Sequence, residues 1–220
     1  MSTGASDALT SVNADLVRMT RLVGSAMNRA TQALLDADLS LAEGVIASDA
    51  QVDTLSSTIE DSCFDFVRLR QPSPSELRGV IGAVRIAASL ERMGDLAEHI
   101  AKQARMRYPR EVVPQELRAT FAMMGAVAEE IVSKTGAVIA TRDVSLAADI
   151  ARHDSEMDRM HRELFTIVLS PGWVHGVEAA IDITLLSRYY ERYADHAVSV
   201  TRRVVTIVTG EPYTGVTLDG

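Results

Sequence analysis

Apolar residues in this chain recur at helical spacing. Leu41, Val45, Val52, Leu55 and Ile59 fall on one stripe of a 3.6-residue helix, and so do Leu146, Ile150, Met157, Met160 and Leu164. Leu90, Met93, Ala97 and Ile100 make a third stripe, and Tyr190, Tyr193, Ala197, Val200 and Val204 a fourth. Between long segments poor in Gly and Pro lie the joints DADLS, RQPSPSE, YPREVVPQ, TRDVS and LSPGWVHG. The pattern predicts helices near 12–37, 40–70, 75–107, 115–141, 144–169 and 174–209. Ser40, Ser75 and Ser145 stand where N-caps are expected.

The two halves repeat. A shift of 105 overlays Leu16 on Phe121, Met19 on Met124, Leu34 on Ile139, and the whole Leu41 stripe on the Leu146 stripe. It also sets Asp49 on Asp154 and Asp53 on Asp158. Beyond the proline-containing joint the shift becomes 100, and Glu91 meets Glu191 while Asp95 meets Asp195. Composition alone predicts about four acid pairs at i,i+4, so one pair means little. Six occur, and four of them form two matched sets; Asp61/Asp65 and Glu178/Asp182 have no acidic counterparts. The expected fold is all-α, with six helices as two repeated antiparallel three-helix bundles over residues 1–109 and 110–220.

Bulk properties narrow the function. An apolar content of 47% supplies a core, and only 5% aromatic residues favours helix over sheet. A net charge of −8 argues against a direct nucleic-acid binder. No run reaches the ~18–20 apolar residues of a membrane span, and MSTGASDALTS reads as no secretory signal. A lone Cys63 suits a reducing cytoplasm and reads as core filler.

At 100° per residue, Asp49 and Asp53 share one face of their helix, about 80° from the apolar stripe. Asp154 and Asp158 stand in the same relation to theirs, and Glu91/Asp95 and Glu191/Asp195 flank the other two stripes. A solvated acidic face costs a helix only ~0.2–0.5 kcal/mol per pair. Four carboxylates gathered in one place would repel, raising pKa values or calling for a cation. All-oxygen ligation suits Mg²⁺, Mn²⁺, Ca²⁺ or iron. Arg92 and Arg192 offer a second outcome, pairing some acids internally. Both readings stand on the residues alone.

With SELRGVIGAVRIAASLERMGDLAEHIAK in the first half and LLSRYYERYADHAVSVTRRVVTIVTGE in the second, the chain resembles the PhoU family. That resemblance covers essentially the whole chain. It implies a homodimer with multinuclear metal clusters: Asp49, Asp53, Glu91 and Asp95 in one, Asp154, Asp158, Glu191 and Asp195 in the other. Iron, zinc, manganese or magnesium would be the ions. It further implies a cytoplasmic regulator, not an enzyme, acting with the Pst phosphate ABC transporter and a PhoR-type histidine kinase. Membrane association would be peripheral, through those partners, and the phosphate-starvation response would be held off when phosphate is abundant. Where the family carries an Asn four residues past the motif Asp, this chain has His99 and Ser199. His99 reads as an exposed helix residue or as a nitrogen ligand favouring zinc or iron.

Rival functions remain in view. No P-loop, Gly-x-Ser-x-Gly or His-Glu-x-x-His is present. A metal-dependent phosphatase using the carboxylates is one alternative, and a purely structural helical adaptor another. A di-iron oxidase requires Glu-x-x-His on two helices, and Asp158-Arg-Met-His161 occurs once, with Ser56 opposite His161. Trp173 reads as a joint filler, His153 as solvated, and VTGEPYTGVTLDG as frayed beyond Glu211.

Overall fold

The computed structural model describes residues 3–211, so the expected fraying past Glu211 lies outside the described residues. Within them the chain forms six helices and no strand: α1 (Thr3–Asp36), α2 (Leu39–Leu69), α3 (Pro74–Arg107), α4 (Arg118–Thr141), α5 (Ala147–Val168) and α6 (Gly176–Thr209). Single 3-10 turns, Gln115–Leu117 and Val144–Leu146, lead into α4 and α5. No helix among the described residues is long and apolar enough to cross a membrane.

Helix α1 begins well before residue 12 because Ala8 and Leu9 still pack against the core. The caps also differ from expectation. Ala37, in the left-handed region, ends α1, and Asp38 rather than Ser40 then caps α2 by accepting from the Leu41 N–H at 2.9 Å. Ser73, not Ser75, caps α3. Pro74 takes the first helical position, and Ser73 and Glu76 satisfy each other's backbone N–H groups in a capping box. Asp143, not Ser145, accepts from the Ser145 N–H.

Three helices pack mutually in each half, α1 with α2 and α3, and α4 with α5 and α6. The halves join through α1 on α4 and α3 on α6, so these four helices form the centre, with α2 and α5 as flanks. The repeat is visible in burial. Val45, Val52, Leu55 and Ile59 are buried, and so are Ile150, Met157, Met160 and Leu164; Leu90 and Met93 match Tyr190 and Tyr193. All of these residues belong to one continuous core that both bundles share. Cys63 is buried within it, and that burial pushes its thiol pKa up.

Two contacts bring α1 and α4 together. A Cβ on Gly125 would lie 2.6 Å from Thr31 Cγ2, and one on Gly136 would lie 2.6 Å from Thr20 Oγ1. Under the 105 shift Thr20 becomes Gly125 and Thr31 becomes Gly136. One contact therefore maps onto the other, marking an internal two-fold axis between antiparallel α1 and α4. The α3–α6 pair is antiparallel as well: Gly82 near the start of α3 meets Ile207 near the end of α6, and Arg107 meets Asp182 at the opposite ends.

Gly125→Ala should destabilise the protein by about 1–3 kcal/mol through overpacking against Thr31, despite alanine's better helix propensity. Gly79→Ala, with open space around the new Cβ, should stabilise by about 1 kcal/mol. Chemical denaturation of both variants checks the contrast, and equal effects would contradict the close approach.

Candidate metal centre

The acids of the first half stand where α2 crosses α3. Gly94, inside the ERMGD motif, has no side chain to hold α2 away: Asp49 Oδ1 lies 3.0 Å from the place a Cβ would occupy. Asp49 is half-buried there, and its pKa is pushed up to about 6 by burial first and then by repulsion from Glu98, Asp53 and Asp95. Lys102 partly offsets this. Asp53 is raised too, by desolvation and then by Glu91, Asp95 and Glu98. The predicted set of Asp49, Asp53, Glu91 and Asp95 therefore does come together electrostatically.

The second half repeats the arrangement. Asp154 rises to about 6 through burial, then through Asp158, Asp195 and Glu191, while Arg202 lowers it. Glu191 is raised by burial and by Asp195 and Asp158. The Arg202 opposing Asp154 is the repeat partner of the Lys102 opposing Asp49. Arg92 binds Asp95 at 2.9 Å, and its repeat partner Arg192 binds Asp195 at 3.3 Å. Arg188 pairs with Glu191, whereas Ala88 leaves Glu91 without that partner.

The first site thus holds five acids, counting Glu98, against the two cations Arg92 and Lys102. The second holds four against Arg188, Arg192 and Arg202. Half-buried His196 stands on the α3–α6 seam between the two. Burial lowers its pKa first, Arg192 and Arg92 lower it further, and both Asp195 and Asp95 raise it. Sequence reasoning missed Glu98, Lys102, Arg202 and His196. Glu98 lies seven residues past Glu91 on the same helix face, and Lys102/Arg202 match under the 100 shift, so their signals were present.

His99 and His153 are engaged elsewhere. His99 is exposed and stacks on Tyr189 with ring centroids 5.3 Å apart. His153 is buried rather than solvated: Nδ1 lies 2.7 Å from the Asp149 carbonyl oxygen, and Nε2 lies 3.0 Å from Glu130. Trp173 packs against the core and donates to the Gly176 carbonyl at 2.8 Å, as a joint filler should.

A profile of the PhoU domain matches residues 16–104 and again 121–204. The chain belongs to the PhoU family. The phosphate-specific transport system accessory protein PhoU homolog 2 of Mycobacterium bovis is 46% identical over 210 residues, 96% of this chain and 99% of that protein. PhoU homolog 1 of Mycobacterium leprae is 45% identical over 210 residues, covering 96% and 95%. The crystal structure of PhoU from Pseudomonas aeruginosa superposes with a TM-score of 0.82 at 28% identity, over 94% of this chain and 99% of that one. The two mycobacterial relatives bear the name of phosphate-transport accessory proteins, and the Pseudomonas PhoU shares this chain's fold.

The PhoU motif acids fit a hard cation in donor chemistry. They offer oxygen only, burial first and then neighbouring carboxylates oppose ionisation of Asp49 and Asp154, and Glu191 Oε2 is buried with no hydrogen-bond partner. As the side chains stand, no three His, Cys, Asp or Glu donors among the described residues close round one point. Ligation would require Asp95, Asp195 and Glu191 to turn from their arginines.

Asp154 ionises at about 6 when folded and near 3.8 when unfolded. Between those values the folded chain keeps a proton the unfolded chain has released, so this group's contribution to stability falls as pH rises. Asp154→Asn should therefore raise the Tm of metal-free protein at pH 7 and leave it nearly unchanged at pH 3. A lower Tm at pH 7, by circular dichroism, would contradict the frustrated-charge reading.

Proposed function

We propose that this chain regulates phosphate uptake and signalling from the cytoplasm, docking on a Pst phosphate transporter and on a PhoR-type histidine kinase. In this reading it holds the phosphate-starvation response off while phosphate is abundant. The observation that carries the proposal is the near end-to-end match, 96% of this chain to 99% of a phosphate-transport accessory protein. An accessory role needs surfaces more than a catalytic pocket. Both acidic sites sit on flank and seam helices where a partner with basic surfaces would meet an opposite field, which speeds encounter. A homodimer is part of the proposal, with exposed Val177, Ile181 and Leu185 along α6 as an apolar stripe for it to cover.

Cation binding belongs to the same proposal. Asp49, Asp53, Glu91 and Asp95 would hold one site, and Asp154, Asp158, Glu191 and Asp195 the other. A bound ion would supply the positive charge that these carboxylates lack. With no histidine among the donors, manganese, magnesium and iron suit the sites better than zinc. The first site carries the larger excess of negative charge and should load first.

Deletion of the gene should leave phosphate-starvation genes active in phosphate-rich medium, and normal repression in the deletion strain would remove the regulatory reading. Purified protein should sediment as a dimer and turn over no phosphate ester. Metal-dependent hydrolysis lost with Glu91→Gln would favour the phosphatase instead. Elemental analysis after purification without chelator should find metal, and Asp95→Asn should lower it more than Asp195→Asn. Metal-free wild-type protein would defeat the cation proposal without touching the regulatory one.

A further inference from the structure

The internal two-fold gives each end of the α3–α6 pair a counterpart, and the two ends differ in charge. Where α3 finishes beside the start of α6, Arg107 grips buried Asp182 with Nε to Oδ2 at 2.8 Å and Nη2 to Oδ1 at 2.9 Å. Arg107 also bonds Glu178, and Gln103 donates to Asp182. Every charge in that network has an opposite partner.

At the other end the 100-residue shift changes the chemistry. Arg78 stands for Glu178, Gly82 for Asp182, Arg85 for Leu185, Arg203 for Gln103, and Ile207 for Arg107. Both acids are gone and arginines have been added. The result is a groove of about 620 Å³ lined by Arg78, Arg85, Arg202 and Arg203, with Leu77 and Ile81 among its apolar walls and no acid in its lining. In a chain of net charge −8, such a cluster runs against the bulk composition.

Arg202 already acts on Asp154, whose pKa it lowers, and Arg78, Arg85 and Arg203 remain to face the groove. Arg203 Nε is buried with no hydrogen-bond partner, a donor left unmet inside the protein. Arg78 lies against the last turn of α6, its Nη1 2.9 Å from the place a Gly210 Cβ would occupy. Among the described residues, neither Arg78, Arg85 nor Arg203 is ion-paired.

We propose that this groove binds a phosphorylated small molecule of nucleotide size. Guanidinium forks match phosphoryl oxygens in pairs, which a lone ammonium does not. The volume is that of a small-molecule site and far exceeds one oxyanion. Leu77 and Ile81 are exposed apolar side chains that would cover a ring rather than a second phosphate. This goes beyond the regulatory reading and stands whether or not the acidic sites take metal.

The test is calorimetric titration of the full chain, in buffer containing EDTA, with ATP, with pyrophosphate and with phosphatidylglycerol vesicles. ATP should bind at least tenfold more tightly than pyrophosphate. Arg203→Gln and Arg85→Ser should each weaken ATP at least tenfold with the thermal unfolding curve unchanged, while Arg110→Ala, at the matched end, should leave it unaltered. Should Arg203→Gln fail to fold, the exposed Arg85→Ser decides alone. No ATP binding, equal affinity for pyrophosphate, affinity unmoved by Arg85→Ser, or binding to vesicles only would each overturn the proposal.

Discussion

Two threonines seated against two glycines hold this molecule together as one body. Thr31 on Gly125 and Thr20 on Gly136 let α1 and α4 approach so closely that the two three-helix units share a core. A bulkier pair would separate the helices and open the centre to water, since cores tolerate neither voids nor overlap well. Thr31 extends the constraint to the next helix: its hydroxyl lies 2.7 Å from that of Tyr190, fully buried on α6. With α6 fixed, α3 is fixed as well, and the acids of both seam helices take their places.

The duplication explains why the charges fall in pairs of places. A two-fold relation supplies each location twice, and the side chains then diverge. In the acidic sites divergence is slight: Lys102 and Arg202 oppose Asp49 and Asp154 alike, while Glu98 and Ala88 leave the first half more negative. At the ends of α3 and α6 it is complete. One end carries a closed ion-pair network, the other an arginine groove. Both departures leave unsatisfied charge near a dense core, and unsatisfied charge in a folded protein points toward a ligand more often than surface charge does.

Much of this was legible in the sequence. The 105 and 100 shifts predicted which residues are buried together, from Val45 with Ile150 to Met93 with Tyr193, because apolar periodicity is read over many residues at once. The eight motif acids stood out in the sequence because the repeat separates them from chance pairs. Caps were misplaced by two residues, since Asp38, Ser73 and Asp143 compete with nearby serines on local geometry that periodicity does not resolve. His153 was read as solvated because its partner Glu130 lies on α4, beyond any pattern within α5. The unmatched Glu178/Asp182 pair was visible as an exception to the repeat. Its meaning needed the partner Arg107, which stands 75 residues away in sequence from Asp182.

The central claim is that duplication seats one aspartate in each half where burial first, and neighbouring carboxylates second, oppose its charge in the folded chain. Carboxyl carbon NMR titration of metal-free protein, with the resonances of Asp49 and Asp154 assigned, measures this directly. The account predicts that both titrate at about 6, far above the ordinary aspartate value of 3.8. Two ordinary aspartates titrating near 4 would contradict it, and with it the case for a cation at either site.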